Sequence, residues 1–207
     1  MLGDKYKLDL KIGDNTKYLY FSYYTLKNLY KLLNKNPFTF LREFLKEDNK
    51  EEYLATLIYC MASGKITLED IDLVLEDEEV KNYLLINIIA IITVELKAEN
   101  VENIENEEDN NDNENDNEDN DNNQGNKEFE DYWNYSYYVS TVILNKSENE
   151  FLKMSPRELS TLAKYNIDYY KNILLDAYIT VLKAKNEDVD KNKISINKNI
   201  RFKDLFM

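Results

Sequence analysis

Residues 106–126 read Asn-Glu-Glu-Asp-Asn-Asn-Asp-Asn-Glu-Asn-Asp-Asn-Glu-Asp-Asn-Asp-Asn-Asn-Gln-Gly-Asn, without one hydrophobic side chain. A packed core cannot run through such a strip, because nothing in it offsets the entropy of ordering the chain. The strip is predicted to be disordered, and its like charges to extend it. It therefore parts the chain into two foldable stretches, residues 1–98 and 128–207, joined by an acidic linker over 99–127. Hydrophobic residues make up 43% of the 207, enough for a core on either side. The net charge is -14, and residues 99–131 hold fifteen acids against one lysine. The excess charge is thus concentrated around the linker, and elsewhere acids and bases balance. A DNA mimic, which would spread carboxylates over a folded face, does not fit this distribution.

The first stretch opens with Tyr6, Leu8, Leu10 and Ile12 alternating with Lys7, Asp9 and Lys11. This is the period-two pattern of a half-buried strand. Gly13-Asp14-Asn15 predicts a turn, and residues 17–21 the returning strand. A lone hairpin is marginal, so it is expected to pack on helices. Ser22 is a candidate N-cap for a helix with Tyr23, Leu26, Leu29, Tyr30 and Leu33 on one stripe, broken at Asn36-Pro37. Further helices are predicted over 38–47 and over 51–63, the latter closed by Gly64 in a left-handed conformation. Thr67-Leu-Glu-Asp70 resembles a capping box and starts a short helix through Leu75, followed by a very apolar one over 78–96.

In the second stretch, residues 128–145 form a predicted helix rich in aromatics: Phe129, Tyr132, Trp133, Tyr137 and Tyr138. Ser147-Glu-Asn-Glu150 and Ser155-Pro-Arg-Glu158 are capping boxes. In the second, proline stands at the first helical position, where its missing donor costs nothing. Its helix is predicted from Pro156 towards Asn186. Trp133 and Tyr137, at i, i+4, form either a partner-facing stripe or core contacts with the Pro156 helix. A terminal segment carries Ile200, Phe202, Leu205 and Phe206, which either dock back on the chain or are held for a partner. The expected fold class is mainly α: an N-terminal β-hairpin packed on a helical domain, a disordered linker and a small C-terminal helical module.

The absence of histidine excludes His-based triads, His metal sites and His proton relays. Glycine occurs only at 3, 13, 64 and 125, so no Gly-rich phosphate loop exists. The lone Cys60 sits in an apolar run without a histidine to activate it and is expected to be an inert core thiol. Asp112-Asn-Glu-Asn-Asp116 alternates oxygen ligands, but the glycine an EF-hand loop needs is Asn117 here, and no apolar anchor follows. Glu69 and Asp70 stand at a helix start, where capping explains them better than acid/base chemistry. The most apolar run, 84–94, is too short for a bilayer, and no signal peptide is visible. No catalytic residue, cofactor or metal is expected, and neither nucleic acid nor membrane as a partner.

Several of these motifs occur in a familiar order. Phe21-Ser-Tyr-Tyr-Thr-Leu-Lys-Asn-Leu-Tyr30, Glu52-Tyr-Leu-Ala-Thr-Leu-Ile-Tyr-Cys-Met-Ala-Ser-Gly64 and Ile66-Thr-Leu-Glu-Asp-Ile71 together resemble the N-terminal domain of phage tail assembly chaperones. Tyr132-Trp133, Leu144-Asn-Lys-Ser-Glu-Asn-Glu-Phe151, Met154-Ser-Pro-Arg-Glu-Leu159 and the final Ile200-Arg-Phe-Lys-Asp-Leu205 resemble the C-terminal extension of the same proteins. The resemblance implies a non-enzymatic protein of viral morphogenesis whose first part binds and coats the tape measure protein. Its second part would recruit tail tube protein, with the strip as a tether. Self-association is a further expectation. So is a location in the bacterial host cytoplasm, with absence from the finished particle. Such families often produce short and extended forms by frameshifting, and this chain is similar to the extended one. The competing reading is an unrelated two-module interaction or regulatory protein.

Overall fold

The computed structural model describes residues 7–46, 50–63, 65–100 and 118–184. It is mainly helical, with an N-terminal hairpin as expected. Strands β1 (Lys7–Ile12) and β2 (Asn15–Tyr20) pair antiparallel, with Leu8 opposite Leu19 and Ile12 opposite Asn15. Leu8, Leu10 and Leu19 are buried while Lys7, Asp9 and Lys11 are exposed, as the alternation requires. The connection is tighter than the sequence suggests. Asn15 and Thr16 join the ladder, and Gly13 takes a φ of 56° that glycine adopts without a Cβ penalty.

Helix α1 (Tyr23–Leu33) starts at Ser22, whose backbone N–H donates to Thr25 Oγ1 at 3.2 Å. The Thr25 hydroxyl in turn donates to the Tyr20 carbonyl at 2.8 Å, tying the helix to the end of β2. Helix α2 (Pro37–Lys46) has proline at its first position and is capped by Asn36, whose Oδ1 accepts from Phe38 N–H at 2.9 Å. Helix α3 (Lys50–Met61) buries Leu54, Leu57, Ile58, Cys60 and Met61. The left-handed residue after it is Ser63, with φ 56°, one position before the expected Gly64, which lies outside the described residues.

The Thr67–Asp70 box is closed in both directions, at 3.1 and 3.3 Å, and starts α4 (Leu68–Leu75). Helix α5 (Glu78–Asn100) runs four residues past its expected end at residue 96. Helix α6 (Glu118–Tyr138) widens into a π turn over Val139–Ile143, where Leu144 N–H reaches back to the Val139 carbonyl at 3.0 Å. The Ser147–Glu150 box opens α7 (Glu148–Lys153), and Ser155 opens α8 (Pro156–Ala184) by accepting from Glu158 N–H at 3.1 Å.

The linker was expected over 99–127, yet α5 reaches Asn100 and α6 already begins at Glu118. The strip's last residues are held: Asn36 Nδ2 donates to the Gly125 carbonyl at 2.9 Å. Residues 101–117 lie outside the described residues. The chain divides into compact units Met1–Ser160 and Thr161–Met207, not at residues 98 and 128. The reason is aromatic burial. Phe129 meets Tyr30 at 5.0 Å and Phe38 at 5.9 Å between ring centroids, so α6 belongs to the core built on α1 and α2.

Candidate protein-binding groove

Tyr23 is the centre from which the site is built. It is the first residue of α1, fully buried, with its ring 4.3 Å from Phe151 of α7, 5.9 Å from Trp133 and 6.2 Å from Tyr132 of α6. Its hydroxyl lies 3.0 Å from that of Tyr132, so neither polar tip is buried without a partner. Its backbone N–H, which no helical carbonyl can reach, donates to the Met154 carbonyl at 2.9 Å. The later helices α6 and α7 are thereby locked onto one ring of α1.

On the open side of this cluster lies a groove of about 510 Å³ walled by α1, α6 and α7. Much of its lining is aromatic: Tyr30, Phe129, Trp133, Tyr137 and Phe151. Trp133 packs on Phe151 at 5.2 Å and on Phe129 at 6.1 Å, while the exposed Tyr137 meets Phe151 edge-on at 5.4 Å. Lys27 and Lys31, one turn apart on α1, line one wall, and Glu130 and Glu148 also border the groove. The Tyr30 hydroxyl donates to Glu130 Oε1 at 3.0 Å. Burial raises the Tyr30 pKa, and the hydrogen bond and negative charge of Glu130 raise it further, so this hydroxyl stays a neutral donor. The volume falls within the ~300–1,000 Å³ of ordinary ligand sites. The lining suits apolar side chains flanked by groups of either charge.

The two sequence readings for Trp133 and Tyr137 meet here. Trp133 packs on Tyr23 of α1, Phe129 of α6 and Phe151 of α7, and both residues also line the groove. Ile200, Phe202, Leu205 and Phe206 lie outside the described residues. Lys27, Lys31 and Phe151 were not singled out from the sequence as site residues. The legible signal was a pair of lysines at i, i+4 beside Tyr30 on an otherwise apolar stripe.

Outside the groove, Cys60 is fully buried and its thiol is pushed up to about 12 by that burial, which keeps it protonated and unreactive. The buried Glu95 of α5 accepts from Arg157 N–H at 3.0 Å, capping the first turn of α8 from a distant helix. Among the described residues no group of three or more His, Cys, Asp or Glu side chains could hold a metal, and no helix is long and apolar enough to cross a membrane. No family model matches the chain, and no curated protein or solved structure matches it significantly.

Proposed function

We propose that this chain is a tail assembly chaperone of a phage or prophage-derived particle, acting without catalysis in the host cytoplasm and absent from the finished particle. In this reading the groove of α1, α6 and α7 takes the apolar face of a helix from the tape measure protein. The segment with Ile200, Phe202, Leu205 and Phe206 recruits tail tube subunits. The observation that supports it best is the aromatic lining of the groove. Tyrosine and tryptophan give large contact area at low cost in side-chain entropy, which is what a surface for exposed apolar helices needs. The order of the motifs along the chain supports the same family.

The test is co-purification with each partner. Tyr137→Ser combined with Lys31→Glu is expected to weaken tape measure binding about tenfold or more, roughly 1.4 kcal/mol, with an unchanged circular dichroism spectrum. Deleting residues 199–207 is expected to abolish tube-protein binding while leaving the thermal midpoint nearly unchanged. A deletion that lowers the midpoint by several degrees and preserves binding would make the segment structural. If the intact chain captures neither protein, the unrelated interaction protein becomes the better reading.

A further inference from the structure

Four charged side chains border the groove, and they are sorted by helix. Lys27 and Lys31 stand on α1, Glu130 on α6 and Glu148 on α7. Each acid has a structural use. Glu130 accepts the Tyr30 hydroxyl at 3.0 Å, and Glu148 is the first residue of α7, where a helix start favours negative charge. Lys31 has a use as well, because it lies in the last turn of α1, where a cation meets the negative end of the helix. Lys27, one turn earlier, has none, yet it is half-buried. Among the described residues neither of these lysines forms an ion pair, whereas Lys7, Lys35, Lys81 and Lys146 each find a carboxylate at 2.6–3.7 Å. Glu130 turns to Tyr30, the chain neighbour of Lys31, and leaves that lysine unbridged.

On the footing that the groove seats an apolar helix, we propose that the helix it selects carries two acidic residues one turn apart along one border of its apolar stripe. Lys27 and Lys31 are the residues that read them. Side chains at i and i+4 are neighbours on a helix surface, about 5–6 Å apart. Two carboxylates at that spacing, on a helix lying along α1, match the spacing of the two lysines. Glu130 and Glu148 complete the selection, since like charge there is repelled and basic residues are favoured on the other border. The same two acids disfavour a nucleic acid strand, whose phosphates would meet them as well as the lysines.

Two synthetic helical peptides of identical composition test it, both with leucine anchors at i, i+3 and i+7. In the first, glutamates follow one border of the leucine stripe and lysines the other. In the second, glutamate and lysine alternate along both borders, so net charge is the same but no acidic pair remains. Trp133, the only tryptophan and part of the groove lining, reports binding by its fluorescence. At low ionic strength the first peptide is expected to bind about fivefold more tightly, a preference that shrinks as salt is raised. Lys27→Glu with Lys31→Glu is expected to abolish the preference with an unchanged circular dichroism spectrum. Equal affinities for the unmodified chain overturn the proposal and leave the helix seat standing. A preference that survives in the double variant overturns it too, because other residues then read the charge. If neither peptide moves the fluorescence, the seat itself falls and the proposal with it. Tighter binding of a single-stranded oligothymidylate than of the first peptide overturns it in favour of nucleic acid.

Discussion

Glu95 is an acid in an apolar run, and it is buried. Its carboxylate offsets part of that burial by accepting the Arg157 N–H at the start of α8, 62 residues away. Glu95→Ala leaves that donor without its acceptor and is expected to cost about 1–3 kcal/mol in urea unfolding. Glu95→Gln keeps a neutral acceptor of the same shape and is expected to match or exceed the original chain at neutral pH. Burial is the leading cause that raises this carboxyl above its ordinary 4.5, against lowering by Arg157 and Ser155. The folded state therefore holds the proton more tightly than the unfolded chain. The contribution is fullest below 4.5, declines as pH rises towards the raised value, and is level above it. Glu150 runs the other way. Its carboxyl is lowered, chiefly by the Ser147 N–H, so its contribution is lost as pH falls below the ordinary value. Urea midpoints across the acid range should show the Glu95 decline in the original chain and not in Glu95→Gln. Trp133, wedged between Tyr23, Phe129 and Phe151, is the other single residue of consequence. Trp133→Ala is expected to cost about 3 kcal/mol, the low end for a large aromatic because its ring is still partly exposed. A drop within error would mean that the ring serves the groove alone.

At the level of elements, what could be read from sequence was local. The Thr67–Asp70 and Ser147–Glu150 boxes start helices where their spacing says they should, because both partners lie within one turn. Pro156 marks a first helical position for the same reason, whereas Pro37, read as the break before a helix over 38–47, is itself the first residue of α2. The start of α6 was not legible. Residues 118–126 have no hydrophobic periodicity, and what holds Gly125 is the Asn36 amide, 89 positions earlier in the chain. The Glu95 cap was hidden likewise, since neither residue carries a local sign of the other. The groove was half legible: the aromatics of α6 stood out, but their partners on α1 and α7 depend on long-range packing. Asn36 does two jobs, capping α2 and binding α6. Asn36→Ala is therefore expected to cost about 1–2 kcal/mol. It should also speed amide hydrogen exchange near Gly125 while leaving α3 and α4 protected. Faster exchange throughout would mean global destabilisation instead.

For the whole molecule, the sequence break and the structural one fall in different places. Composition separates residues 1–98 from 128–207, whereas compactness puts residues up to Ser160 in the first unit. A specific protease site placed within residues 101–117 and cut should therefore give fragments that co-elute, held by Phe129, Tyr132 and Trp133 against α1 and α2. Fragments that part on a sizing column would restore the picture of separable modules. The bond from Tyr23 N–H to the Met154 carbonyl has a further consequence, in time rather than space. A ribosome adding about 5–20 residues per second needs roughly 7–26 s to travel from the first of these residues to the second. For most of that interval the nascent chain displays Tyr23, Tyr30 and Phe38 without the cover of Phe129, Tyr132 and Phe151, so the early product of translation is a stickier molecule than the finished one.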